Sequence, residues 1–143
     1  GPPPQPDARP FADLVQQLNW PVDGKITRTF GTVRDDKAFT WQGVVLEAPA
    51  GTTVRAISGG RVIFADWFQH LGLLLIIDHG LGYMSLYGHN QTLFKDVGDW
   101  VVVNEIIAGV GDSGGRNVNA LYFEVRHEGI PQDPARWCQT KDG

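Results

Sequence analysis

One cysteine, Cys138, stands among the 143 residues, so neither an internal disulfide framework nor a cysteine-based zinc knuckle can form. Long apolar runs are missing too: the stretch at 71–77 is far shorter than the ~20 residues a membrane-spanning helix needs. Positive charge is in short supply. Twelve Lys and Arg face sixteen Asp and Glu, and a net charge of −4 argues against nucleic acid as the main partner, because phosphate binding draws on clustered Lys and Arg. Only four histidines are present, and none shows the close pairing of a zinc motif, so a site built from His70, His79, His89 and Cys138 is not expected. There is no tandem repeat and no visible leader peptide. Gly1-Pro2 reads as an expression scar and the chain as a fragment.

What the chain has in quantity is turn-forming residues: 18 glycines and 9 prolines, against an ordinary 42% hydrophobic and 20% charged content. The length suits one domain with a single core, expected to be monomeric. Five prolines fall in residues 1–10, which read as a linker arm. Phe11, Leu14, Val15 and Leu18 have the spacing of a short amphipathic helix, either capping the domain or lying beside a functional groove. Strands are predicted at 25–30, 41–47, 54–57, 61–65, 73–78, 84–87, 101–103, 106–110 and 119–126. Loops are expected at 31–40 and 66–72, and a helix or loop at 90–95. Short strands separated by Gly and Pro turns point to an all-β sandwich or barrel.

Two strands carry the chemistry. In 119–126, alternation puts Ala120, Tyr122 and Glu124 on one face and Leu121, Phe123 and Val125 on the other, which is the core face. In 41–47, Trp41, Gly43, Val45 and Glu47 share a face. Composition alone would leave Trp41 and Val45 as ordinary core residues.

These strands, with Gly51-Thr52-Thr53-Val54, Gly59-Gly60-Arg61-Val62, Asp78-His79-Gly80, Tyr87-Gly88-His89 and Ser113-Gly114-Gly115, resemble the lysostaphin/LytM family of zinc endopeptidases over roughly residues 20–137. The resemblance implies an antiparallel β sandwich with Gly-rich loops around a central groove and a short N-terminal helix. It divides the chain into an arm and helix (1–19), a LytM domain (20–137) and a tail (138–143). It also implies zinc ligands at 41, 45 and 122 and further active-site histidines at 120 and 89. This chain has Trp41, Val45, Tyr122 and Ala120 at four of these positions, and only His89 is kept. A catalytic zinc takes about three ligands from His, Cys, Asp and Glu, so no metal, no other cofactor and no catalytic residue is expected. His89 is then a relic making hydrogen bonds in the groove, His79 a structural turn residue, and His70 and His127 are solvated loop residues.

Within that family the Ser-Leu-Tyr-Gly and Leu-Tyr-Phe-Glu motifs resemble the EnvC/NlpD-type murein hydrolase activators of Gram-negative bacteria, the EnvC side above all. The resemblance implies a periplasmic, non-catalytic activator of zinc-dependent N-acetylmuramoyl-L-alanine amidases, which split septal peptidoglycan so that daughter cells separate. Peptidoglycan itself is a second candidate partner, and two alternatives are a peptidoglycan-localising module and a residual zinc endopeptidase. Trp41, Val45, Leu71, Leu74, His89, Ala120, Tyr122 and Arg126 are the expected partner-binding residues. Val45 and Arg126 are expected to lie outside the hydrophobic core, and Leu71 and Leu74 to form one groove wall.

Overall fold

The alternating segment predicted at 119–126 is strand β9 (Ala120–His127), which lies near the middle of the sheet. The computed structural model describes residues 10–34 and 39–141. The arm at 1–9, the tip of the 31–40 loop at 35–38 and the last two residues of the predicted tail lie outside the described residues.

Among the described residues, ten antiparallel strands make up one sheet. They are β1 (Lys25–Arg28), β2 (Val44–Glu47), β3 (Thr53–Arg55), β4 (Gly60–Phe68), β5 (Gly72–Gly80), β6 (Tyr83–Leu93), β7 (Trp100–Val101), β8 (Ile106–Val110), β9 and β10 (Ile130–Gln132). The main path runs β1-β2-β9-β6-β5-β4-β7, with β10 extending the sheet along β9. The sheet branches at β6. Its first half pairs with β9 from Tyr83 to Gly88, and its second half pairs with β8 from Asn90 to Leu93. The β3–β8 branch folds back over the main path, and Val54, Ala56, Ile57 and Ile107 pack against Leu46, Tyr87, Leu121 and Phe123 in the main core. The two layers confirm an all-β fold whose alternation follows from β-branched and aromatic residues on a half-buried pleat.

The expected N-terminal helix is shorter than 11–18 and of 3-10 type. It makes one 3-10 turn, Phe11–Asp13, after which Gln16 adopts a left-handed backbone with φ 62°. Phe11, Leu14 and Leu18 are buried by docking on residues 136–138, while Val15, expected on the same face, is 38% exposed. Gln16 and Leu18 donate backbone N–H groups to Arg136 and Trp137, and Leu18 bridges to Cys138 in parallel. Here tertiary partners satisfy the backbone that a short isolated helix could not stabilise. Residues 11–18 and Cys138 thus contribute to the main core.

Two further differences have local causes. Residues 90–93 continue β6, because the strand changes partner at His89 and finds β8. β4 runs on to Phe68, with Trp67 opposite Leu73 and Phe68 opposite Gly72, so residues 66–68 of the predicted 66–72 loop extend β4, Gly72 opens β5, and only 69–71 form the turn. His127, expected in a loop, ends β9 with its ring stacked on Tyr83 at 4.1 Å. His79 is structural, as expected. Its Nδ1 donates to the Gly59 carbonyl (2.8 Å), which leaves Nε2 to accept from Ser85 Oγ (2.6 Å). Ser85 Oγ in turn accepts from Tyr87 (2.8 Å), and Tyr87 accepts from the Ile57 N–H (3.1 Å). Burial lowers the His79 pKa to about 4, against a smaller opposing effect of the Gly59 bond and of Asp78.

Candidate functional site

Register places the second face of β9. Val45 lies opposite Tyr122 and Glu47 opposite Ala120, while Val44 and Leu46 pair with Phe123 and Leu121 on the core side. Val45, Ala120 and Tyr122 therefore form a separate small apolar cluster, with Trp41 and Leu71 packed against it. Trp41 is not on the strand, since β2 begins at Val44. It is held by a hairpin in which Gly31 donates to the Trp41 carbonyl (2.8 Å) and Trp41 to Thr32 (2.9 Å). Gly43 then brings the backbone against the Phe123 carbonyl, where any β-carbon would collide. The indole centroid stands 6.2 Å from that of Tyr122.

Leu71 comes from the β4–β5 turn and accepts the His89 backbone N–H (2.7 Å). His89 has φ 65°, a left-handed conformation uncommon for a residue with a β-carbon. It occupies the bulge where β6 changes partner, 6.3 Å ring to ring from Tyr122. Its Nδ1 donates to the Ser113 carbonyl at 2.7 Å. Burial lowers its pKa, the Ser113 bond opposes this, and Arg116 lowers it further, so the ring is neutral at pH 7.

A polar chain runs along the same face. Tyr122 Oη donates to Glu124 Oε2 (2.6 Å), and Arg126 Nε donates to Glu124 Oε1 (2.6 Å). Arg126 also reaches Gln42 Oε1 at 3.4 Å. Glu124 is 3% exposed, so its charge depends on Arg126 as the paired cation. Burial, followed by the neighbouring Glu124, pushes the Tyr122 phenol well above its ordinary value. Above these residues lies a cleft of about 330 Å³, lined by Trp41, His70, Leu71, His89, Tyr122 and Arg126 among others.

The donors around the cleft decide whether it can hold zinc. Trp41 and Val45 offer no lone pair suited to the metal, and Tyr122 is held protonated with its hydroxyl committed to Glu124. Among the described residues no group of three or more His, Cys, Asp or Glu side chains is placed to hold a metal ion. These residues do not fit zinc.

Seven of the eight expected site residues come together here: Trp41, Val45, Leu71, His89, Ala120, Tyr122 and Arg126. Leu74 does not. It is 2% exposed, within β5 opposite Asp66 of β4, and does not line this cleft. Val45 also departs from expectation, being 1% exposed beneath the cluster and so a packed residue. Sequence reasoning missed Gln42, Glu124, Arg34 and Arg116 as cleft residues. Glu124 carried a usable signal, since it sits two positions from both Tyr122 and Arg126 on one strand face.

Residues 39–134 match peptidase family M23. The chain is 44% identical over 121 residues to murein hydrolase activator EnvC of Escherichia coli (strain K12), covering 85% of this chain and 29% of that one. It is 31% identical over 128 residues to murein hydrolase activator NlpD of the same strain, covering 89% and 32%. The chain thus spans about a third or less of the length of these relatives. Its fold is similar to the crystal structure of a putative peptidase M23 from Pseudomonas aeruginosa, with TM-score 0.77 and 25% identity over 94% of this chain and 53% of that one.

Proposed function

The chain belongs to peptidase family M23, and from that premise we propose that it is a non-catalytic activator of a zinc-dependent N-acetylmuramoyl-L-alanine amidase. It acts in the periplasm and promotes the splitting of septal peptidoglycan and the separation of daughter cells. The observation that carries this reading is the apolar cluster of Val45, Ala120 and Tyr122 under Trp41 and Leu71, where the family's metal chemistry would sit. Relatives that are named murein hydrolase activators support the same reading.

The half-buried Trp41 and Leu71 offer apolar area at the cleft wall, with the Glu124–Arg126 pair as a polar rim. A short amphipathic helix of the amidase suits such a groove, because it presents anchors one helical turn apart. If that helix otherwise blocks the amidase's zinc, docking it here favours the open enzyme by the difference in affinity for its two states. The test is dye release from labelled peptidoglycan by purified zinc-dependent amidases with and without this domain. Strong stimulation that is lost in Trp41→Ala is expected. Retention on isolated sacculi with no stimulation of any amidase would replace this reading with a localising module.

A further inference from the structure

Beside the cleft lies a second cavity of about 440 Å³ that shares Trp41, Arg34 and Arg116 with it. Among the described residues its charge is one-sided: Arg28, Arg34 and Arg116 line it against one carboxylate, Glu47. No ion pair engages these three arginines among the described residues. Arg28 Nη1 reaches only the adjacent Thr27 carbonyl (2.8 Å), and the Arg34 guanidinium stands over the Trp41 ring, 4.1 Å from its centroid. Arg116 is half-buried, and burial followed by repulsion from Arg28 and Arg34 lowers its pKa, with Glu47 opposing. By contrast Arg126, one of the expected partner-binding residues, is already paired with the buried Glu124.

Three guanidiniums without an ion pair among the described residues, set around one cavity in a chain of net charge −4, make a local positive site in a negative molecule. Their planar forks suit carboxylates, and acidic residues three or four apart on a helix would present two or three of them on one face. A long polyanion would meet the repulsion of the rest of the chain. We propose that this end of the groove binds the carboxylates of an acidic peptide segment, continuous with the apolar stretch that covers Trp41 and Leu71. The identity of that segment as part of an amidase rests on the function proposed above.

The probe is fluoresceinyl-Leu-Glu-Glu-Leu-Leu-Glu-amide, the dye on the N-terminal amine, with its glutamine counterpart as reference, followed by anisotropy. The parent domain should bind the glutamate peptide about tenfold more tightly at low salt, the size expected of one or two charge-assisted contacts. Arg34→Gln/Arg116→Gln should abolish that preference with an unchanged melt, while Arg55→Gln, which removes a contact to Asn104 on another surface, should keep it. Equal binding of the two peptides, or a preference that survives in the double variant, overturns the proposal. So does displacement of the probe by inorganic phosphate or soluble muropeptides at lower concentration than by unlabelled glutamate peptide. A domain that stimulates no amidase but keeps the peptide preference loses the function proposed above and retains this site. Full stimulation without any preference does the reverse.

Discussion

The two faces of β9 are a controlled comparison inside one strand. Leu121, Phe123 and Val125 on one face and Ala120, Tyr122, Glu124 and Arg126 on the other share backbone, register and neighbours. The first face is apolar and joins the large core that both layers of the sheet contribute to. The second joins a small cluster and then turns into an ion-paired rim that opens on a cleft. Pleating makes the two independent: a change at 122 is felt in the cleft, and a change at 123 in the fold.

The largest effect should come from the core face. Phe123→Ala leaves a cavity among Leu46, Tyr87 and Trp20 and should cost about 3–5 kcal/mol in urea unfolding. A loss under about 1 kcal/mol would mean that the two faces do not differ as described. A second lever is the buried histidine of the core side. His79 has a pKa of about 4 in the folded state, below its ordinary 6.5, so the unfolded chain binds more protons between those values. Stability should therefore fall as pH drops from 6.5 to 4, by roughly 3 kcal/mol from this group, with nothing further below pH 4. Unfolding at stepped pH for the parent and His79→Asn checks this; an equally steep decline in the variant would assign the effect elsewhere.

On the site face the sign of the comparison reverses. Trp41→Ala should weaken amidase binding by about 2 kcal/mol, roughly thirtyfold, while costing less than that in unfolding free energy. Should stability drop more than affinity, Trp41 belongs with the core. Tyr122→Phe removes only the hydroxyl that donates to Glu124, and should cost about 1 kcal/mol of stability. The smallest expected effect is none: excess zinc should leave the melting temperature unchanged. Stoichiometric zinc by elemental analysis, or a rise on addition as bound ligand would give, would restore a metal site.

How much of this was legible in the sequence follows the same division. Strand alternation at β9 and β2 made the core face of 121, 123 and 125 readable, because period two is a property of consecutive residues. The identity of 41, 45 and 122 as one place needed the family resemblance, since residues 77 positions apart meet only through register. Burial within the site was less readable. Val45 looked like an open groove floor, but Trp41 and Leu71 cover it, and that depends on a hairpin and a turn that carry no periodic signal. For the same reason Val45→Glu would bury a charge and is a poor probe of binding. Arg126 looked like a free anchor because its partner, Glu124, was taken only as a marker of the strand face. Of the arginines without an ion pair among the described residues, Arg28 ends β1, while Arg34 and Arg116 lie in loops, where sequence gives charge but no direction. The helix expected at 11–18 is a single 3-10 turn because apolar spacing reports burial, and the chain buries Phe11, Leu14 and Leu18 by clasping the 134–138 segment instead.

That clasp has a practical consequence in chemical kinetics. Cys138 is fully buried beside the Leu18 bridge, and burial pushes its thiol pKa up to about 12, so almost no thiolate exists at neutral pH. An alkylating reagent reaches it only when the two chain-end segments come apart. Its alkylation rate is thus a built-in clock for that opening, read at the native cysteine without any substitution and with the groove left untouched.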